Sequence, residues 1–154
     1  MKKIVMCFGA FDGLHPGHED YLRQAKDLAD ELIVVVARDI TVLEVKGNLP
    51  ARNEQDRLNV LSAHPLVDDA RLGYTDDRYR IIEELRPDII CLGFDQESFT
   101  ENLDNELARR GLSASILRME PYEPAPPKGF AMPSFDNDEN DFAEAEYEER
   151  GLPL

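Results

Sequence analysis

The chain predicts an α/β fold in which five parallel strands form one doubly wound sheet. Three observations carry this. Apolar runs rich in β-branched residues, "KIVMCFG" and "LIVVVA" above all, recur along the chain, and such continuous runs mark strands buried on both faces. Segments with apolar residues at helical spacing lie between them. Strand and helix thus alternate, and right-handed crossovers then build a parallel sheet covered on both sides.

The elements follow in order. "KIVMCFG" is the first strand. From Gly17, the positions Tyr21, Leu22, Ala25, Leu28, Ala29 and Leu32 keep helical spacing, and "LIVVVA" (32–37) is the second strand. Residues 38–52, with Lys46, Gly47 and Pro50, read as a polar loop. Asn53 is placed to cap a helix running to about His64, with Leu58 and Leu61 turned inward. "LVDDARLG" is a shorter third strand. Tyr79, Ile82 and Leu85 mark a helix stopped by Pro87. "DIICLGF" is the fourth strand, Phe99, Leu103 and Leu107 mark a helix ended by Gly111, and "SASILRM" is the fifth strand. The expected arrangement is Rossmann-like, with strand order 3-2-1-4-5 and a ligand crevice beyond the ends of strands 1 and 4, where the order reverses.

After Arg118 the composition changes. Residues 119–133 hold five of the ten prolines, and from Ser134 onward eight acidic residues face one arginine. The expected organisation is one domain over 1–118 and a Pro-rich, acidic, irregular tail over 119–154, with at most a short helix around Phe142 to Arg150. The stretch from Ser134 onward carries −7 of the net charge of −15. Such a balance argues against nucleic-acid binding through a broad basic face. No apolar run approaches the roughly 18 residues of a membrane span, and the apolar segment after Lys2 and Lys3 is too short for a signal peptide. Cys7 and Cys91 sit inside apolar runs and read as buried thiols in a reducing cytoplasm. No Cys-x-x-Cys pair supports a structural metal.

The chemistry concentrates in "FGAFDGLHPGH", residues 8–18, between the first strand and the first helix. A helix N-terminus attracts phosphate through unpaired N–H groups and a partial positive charge. Gly9, Gly13 and Gly17 let the backbone turn and approach closely. His15 and His18, with Pro16 and Gly17 between them, add imidazole donors, so that the stretch forms a cradle for a polyphosphate. It is neither a Walker loop, which needs Lys-Ser/Thr after the glycines, nor the Gly-x-Gly-x-x-Gly dinucleotide fingerprint.

"HPGH" resembles the His-x-Gly-His signature of the nucleotidyltransferase superfamily. "VVVARDITVLEVKG", "RLNVLSAHPLVDDARLG", "RYRIIEELRPDIICLGFDQ" and "LARRGL" are most similar to archaeal-type FAD synthases (FMN adenylyltransferases), and next to glycerol-3-phosphate cytidylyltransferases. The resemblance covers about residues 1–118 and implies a nucleotidyl transfer that releases pyrophosphate. It implies ATP (or CTP) and a phosphate-bearing acceptor, FMN first, as substrates. Mg²⁺ is implied as an ion held mainly by substrate phosphates, with no protein metal site. A homodimer is among the implied arrangements. It also implies that His15, His18 and Lys46 act on the phosphates. Gly9, Ala10, Phe11, Pro16, Gly17, Asp95, Arg118 and Tyr122 are implied to line the nucleotide. The sequence departs from the family at Ala10, where a hydroxyl residue is usual. It departs again after the fifth strand, where "LRMEPYEPAPPKGF" lacks the hydroxyl-rich segment, with Arg118, Glu120 and Lys128 as its remnants.

Plainer readings stand beside these. Asp12 and Asp39 read as turn caps, Asp68-Asp69 and Glu83-Glu84 as solvated faces, and His64 as a helix end. Three functions remain open at this level. One is AMP transfer from ATP to FMN. Another is cytidylyl transfer from CTP to glycerol 3-phosphate or a related phosphate. The third is a catalytically weakened nucleotide-binding protein.

Overall fold

The structure, a computed structural model, describes residues 2–93 and 102–121. Five strands, β1 (Ile4–Gly9), β2 (Glu31–Val36), β3 (Asp69–Leu72), β4 (Ile89–Leu92) and β5 (Ser115–Arg118), form one sheet in the order β3-β2-β1-β4-β5. All four pairings are parallel. The helices are α1 (Pro16–Lys26), α2 (Asp39–Lys46), α3 (Glu54–Ser62), α4 (Arg80–Leu85) and α5 (Leu103–Arg109). The expected strand order is the observed one.

Alternation along β1 sorts the core into two layers, because successive side chains of a strand point to opposite faces. Val5 and Cys7 pack with Tyr21, Leu22 and Ala25 of α1 and Leu61 of α3. Met6 and Phe8 pack with Ile81 and Ile82 of α4 and with Leu103 and Leu107 of α5. A fully buried aliphatic side chain such as Leu22, Leu32 or Ile82 contributes about 1.5–3 kcal/mol relative to exposure. The chain leaves β1 toward one layer and β4 toward the other, so the strand order reverses between these two adjacent strands, the point at which sheets of this kind bind their ligands at the C-terminal ends. Among the described residues no helix is long and apolar enough to cross a membrane.

The clearest difference from expectation is α2, which occupies residues read as loop. Its apolar residues make no helical stripe: Thr41 and Val42 are buried, whereas Ile40, Leu43 and Val45 are exposed. Its N-cap, Arg38, supplies no capping side chain. Glu54, at the start of α3, does so instead, its Oε1 accepting the Asp39 N–H at 2.8 Å while Oε2 accepts Arg38 Nε at 3.0 Å. At the other end Gly47 adopts φ 85°, and its N–H reaches the Leu43 carbonyl. A cap delivered from 15 residues away leaves no local mark.

Smaller differences have similar causes. Asn53 does cap α3, its side chain accepting the Asp56 N–H at 2.8 Å, and Leu61 is buried, but the residue that α3 buries beside it is Arg57. Asp68 is more than a solvated face, because its Oδ2 accepts Lys26 Nζ at 2.6 Å and the Leu32 N–H at 2.7 Å, clipping α1 and β2 together. Glu83 and Glu84 are partnered as well, by Arg110 and by the Tyr74 hydroxyl. His64 does close α3, its Nδ1 accepting the Leu66 N–H and its Nε2 lying 2.6 Å from Glu19. Phe94, Phe99, Lys128 and the tail from 122 onward, with its possible helix, lie outside the described residues.

Candidate active site

The loop from β1 to α1 is built by its own residues. Phe11 has φ 53°, a left-handed backbone that costs a bulky residue about 1–2 kcal/mol. Packing holds it there. Its ring centroid lies 5.2 Å from that of His18 and 6.4 Å from that of Tyr21, and the ring covers Gly9 so closely that a Cβ there would sit 2.8 Å from Phe11 Cε2. Gly9 therefore admits an aromatic ring, and Gly13, with φ 91°, makes the turn. Ala10 and Phe11 are both buried.

His15 is the N-cap of α1. Its Nδ1 accepts the N–H groups of Gly17 at 3.0 Å and His18 at 3.3 Å, and its carbonyl takes the Glu19 N–H. Pro16, with no N–H, fills the first helical position. The expectation of open backbone donors for phosphate gives way here, because the histidine uses them. A neutral imidazole whose Nδ1 accepts carries its hydrogen on Nε2, so the capping fixes His15 as an Nε2–H donor. The His18 ring stacks on His15 at a centroid distance of 3.8 Å and an angle of 21°, and is buried to 3% exposure. The two histidines thus form one stacked pair backed by Phe11.

Tyr21 ties this helix to β4, its hydroxyl donating to the Cys91 carbonyl at 3.0 Å. Burial pushes the Tyr21 phenol well up, which keeps it a donor. Burial likewise raises the Cys7 thiol, whose residue pairs with Cys91 across β1 and β4, and both cysteines are free. Arg118, at the end of β5, donates from Nη1 to the Gly93 carbonyl just beyond β4 at 2.8 Å. Lys46 is the last residue of α2, the helix that follows β2. Gly17 lies within α1. Asp95 and Tyr122 lie outside the described residues.

Sequence reasoning missed the polar support beneath the loop. Asp12 does not cap its own turn. Its carboxylate accepts the N–H groups of Ala51 at 2.7 Å and Arg52 at 2.9 Å, joining the β1–α1 loop to the segment before α3. Asp39 accepts Arg57 Nη2 at 2.7 Å, and the Arg57 side chain is 0% exposed. The signal for Arg57 was its place one residue before Leu58 on a helix with a buried face, but arginine reads as surface by default.

The chain matches the Cytidylyltransferase-like family over residues 6–130. The FAD synthase of Aciduliprofundum boonei is 45% identical over 118 residues, covering 77% of this chain and 78% of that relative. The FAD synthase of Methanothrix thermoacetophila is 47% identical over 120 residues, covering 78% and 82%. A solved structure, the lipopolysaccharide core biosynthesis protein from Thermoplasma volcanium, is 40% identical and superimposes with a TM-score of 0.76 over 80% of this chain and 100% of that one. Similarity of this extent, on a sheet of the expected order with the His15–His18 loop at its point of reversal, establishes that the chain belongs to the cytidylyltransferase-like family of nucleotidyltransferases, on the branch of the archaeal FAD synthases.

Proposed function

We propose that this chain transfers AMP from ATP to FMN, giving FAD and pyrophosphate. The observation that carries this reading is similarity to FAD synthases at 43–47% identity over 75–78% of the chain. An oxygen of the FMN phosphate attacks the α-phosphorus of ATP, and the bond to the pyrophosphate oxygen breaks on the opposite side. The FMN phosphate is largely ionised at neutral pH, with a second pKa of about 6, so the attack needs no base. Catalysis rests on positioning and on donors aimed at developing charge. His15 donates through Nε2 to the phosphates, the stacked His18 completes the pair, and Lys46 and Arg118 supply positive charge. Ala10 and Phe11 offer backbone to the nucleotide.

Among the described residues no group of three or more His, Cys, Asp or Glu is arranged to hold a metal ion. An Mg²⁺ ion would arrive on the nucleotide phosphates with its own waters and, when bound, neutralise phosphate charge. The paired, free cysteines Cys7 and Cys91 support a reducing cytoplasm as the working compartment.

Pyrophosphate release by the purified protein with Mg²⁺, measured with ATP plus FMN and with CTP plus glycerol 3-phosphate, tests the proposal. Release is expected with the first pair and lost in His18→Ala. Release with the second pair alone would make the chain a cytidylyltransferase. Binding of ATP without release in either pair would make it a nucleotide-binding protein, consistent with Ala10 and the segment after Arg118.

A further inference from the structure

We propose that Arg57 is the positioning residue that sets the two phosphate-facing arms of the site, the β1–α1 loop and helix α2, in register with each other. Nothing about a phosphate ligand accounts for this arginine, because its side chain is wholly buried. Its donors are distributed over four acceptors from three parts of the chain. Nη1 donates to the Ala10 carbonyl at 2.7 Å and to the Ala37 carbonyl at 2.8 Å. Nη2 donates to Asp39 Oδ1 at 2.7 Å, and Nε to the Arg52 carbonyl at 2.9 Å.

The identity of those acceptors gives the role. Ala10 and Ala37 each stand one residue past the end of their strand, β1 and β2, where the ladder stops and a buried carbonyl needs another donor. Ala10 begins the loop that runs through Phe11 to His15. Ala37 and Asp39 begin the arm that ends in Lys46. One planar guanidinium bridging Ala10 and Ala37 through a single nitrogen fixes the distance between these starting points. Arg52 is held twice, by its carbonyl on Arg57 and by its N–H on Asp12 of the β1–α1 loop. Glu54, three residues before Arg57 on α3, takes the Asp39 N–H. α3 thus carries both the clip and the cap. A lysine cannot replace this arrangement, since one ammonium on a flexible stem has no rigid fork to span separated acceptors.

The kinetic arm of the test rests on the FMN adenylyltransferase reading, and the exchange arm does not. The full chain would be compared with Arg57→Lys and Asp39→Asn by hydrogen exchange and by steady-state kinetics with ATP and FMN. For Arg57→Lys the expected result is faster exchange confined to residues 10–13 and 38–46, with α4 and α5 unchanged. The expected kinetic result is a kcat lower by about 10²-fold, the effect of roughly 1 Å of misplacement, with a much smaller change in KM for ATP. Asp39→Asn, which leaves the guanidinium on its three carbonyls, is expected to show the same pattern more weakly and confined to 38–46. A folded Arg57→Lys with unchanged exchange in both arms, or with exchange raised evenly across the sheet, overturns the proposal. If Arg57→Lys does not fold, Asp39→Asn decides, and unchanged exchange over 38–46 overturns it. If the wild type turns over no ATP with FMN, the functional reading fails, and the exchange pattern alone settles the role of Arg57.

Discussion

His15 does two jobs through two nitrogens, and substitution can separate them. Nδ1 accepts the Gly17 and His18 N–H groups at 3.0 and 3.3 Å, and in the proposed reaction Nε2–H donates to phosphate. Removing an N-cap side chain costs about 1 kcal/mol, which for a domain of this size lowers Tm by about 4 °C. Losing one donor to developing charge costs about 10²–10³ in kcat, or about 3–4 kcal/mol. His15→Ala should therefore lose both, becoming less stable and nearly inactive. His15→Asn should lose only turnover, because the asparagine Oδ1 can accept the same two N–H groups and asparagine is among the best N-caps. Thermal denaturation followed by circular dichroism reads the first effect, and pyrophosphate release from ATP and FMN reads the second. An asparagine variant turning over at the wild-type rate would refute the Nε2 role. One as unstable as the alanine variant would refute the capping geometry.

Other perturbations follow from the same structure. Gly9→Ala places a Cβ 2.8 Å from Phe11 Cε2 and 3.0 Å from Cζ. The ring must move, His18 with it, and about 1–3 kcal/mol of stability should be lost with most of the activity; unchanged Tm and kcat would show that the ring is not fixed there. Gly47→Ala meets no atom within 4 Å but must hold φ 85°, so urea denaturation should show a loss of about 1 kcal/mol from backbone conformation alone. The Lys26 ammonium beside Asp68, with the Leu32 N–H, holds that carboxyl below its ordinary value of 3.8. A depressed pKa contributes stability that is complete above the ordinary value and lost as pH falls through the depressed one. Asp68→Asn should accordingly flatten stability against pH below about 4 while lowering it at pH 7, and an acid limb as steep as the wild type's would contradict this.

What was legible in the sequence is what local pattern encodes. Continuous apolar runs marked β1, β2 and β4 because a strand covered on both faces needs no polar alternation. Their alternation with helices pointed to a parallel sheet, and the strand order expected for it is the observed one. His15 and His18 were legible for the same reason, lying between a buried strand and a helix start. Tertiary structure decided what depends on groups far apart in the chain. Whether residues 39–46 coil into a helix was settled by Glu54, which caps it from α3. Arg57 carries no local mark of its burial, which arises only when folding sets two strand-end carbonyls, 47 and 20 positions away, against its guanidinium. Asp12 became a clasp on residues 51 and 52 rather than a turn cap. Hydrophobic periodicity is written along the sequence because each residue answers to its neighbours. A buried hydrogen bond has no such period, since its donor and acceptor meet only once the chain has folded.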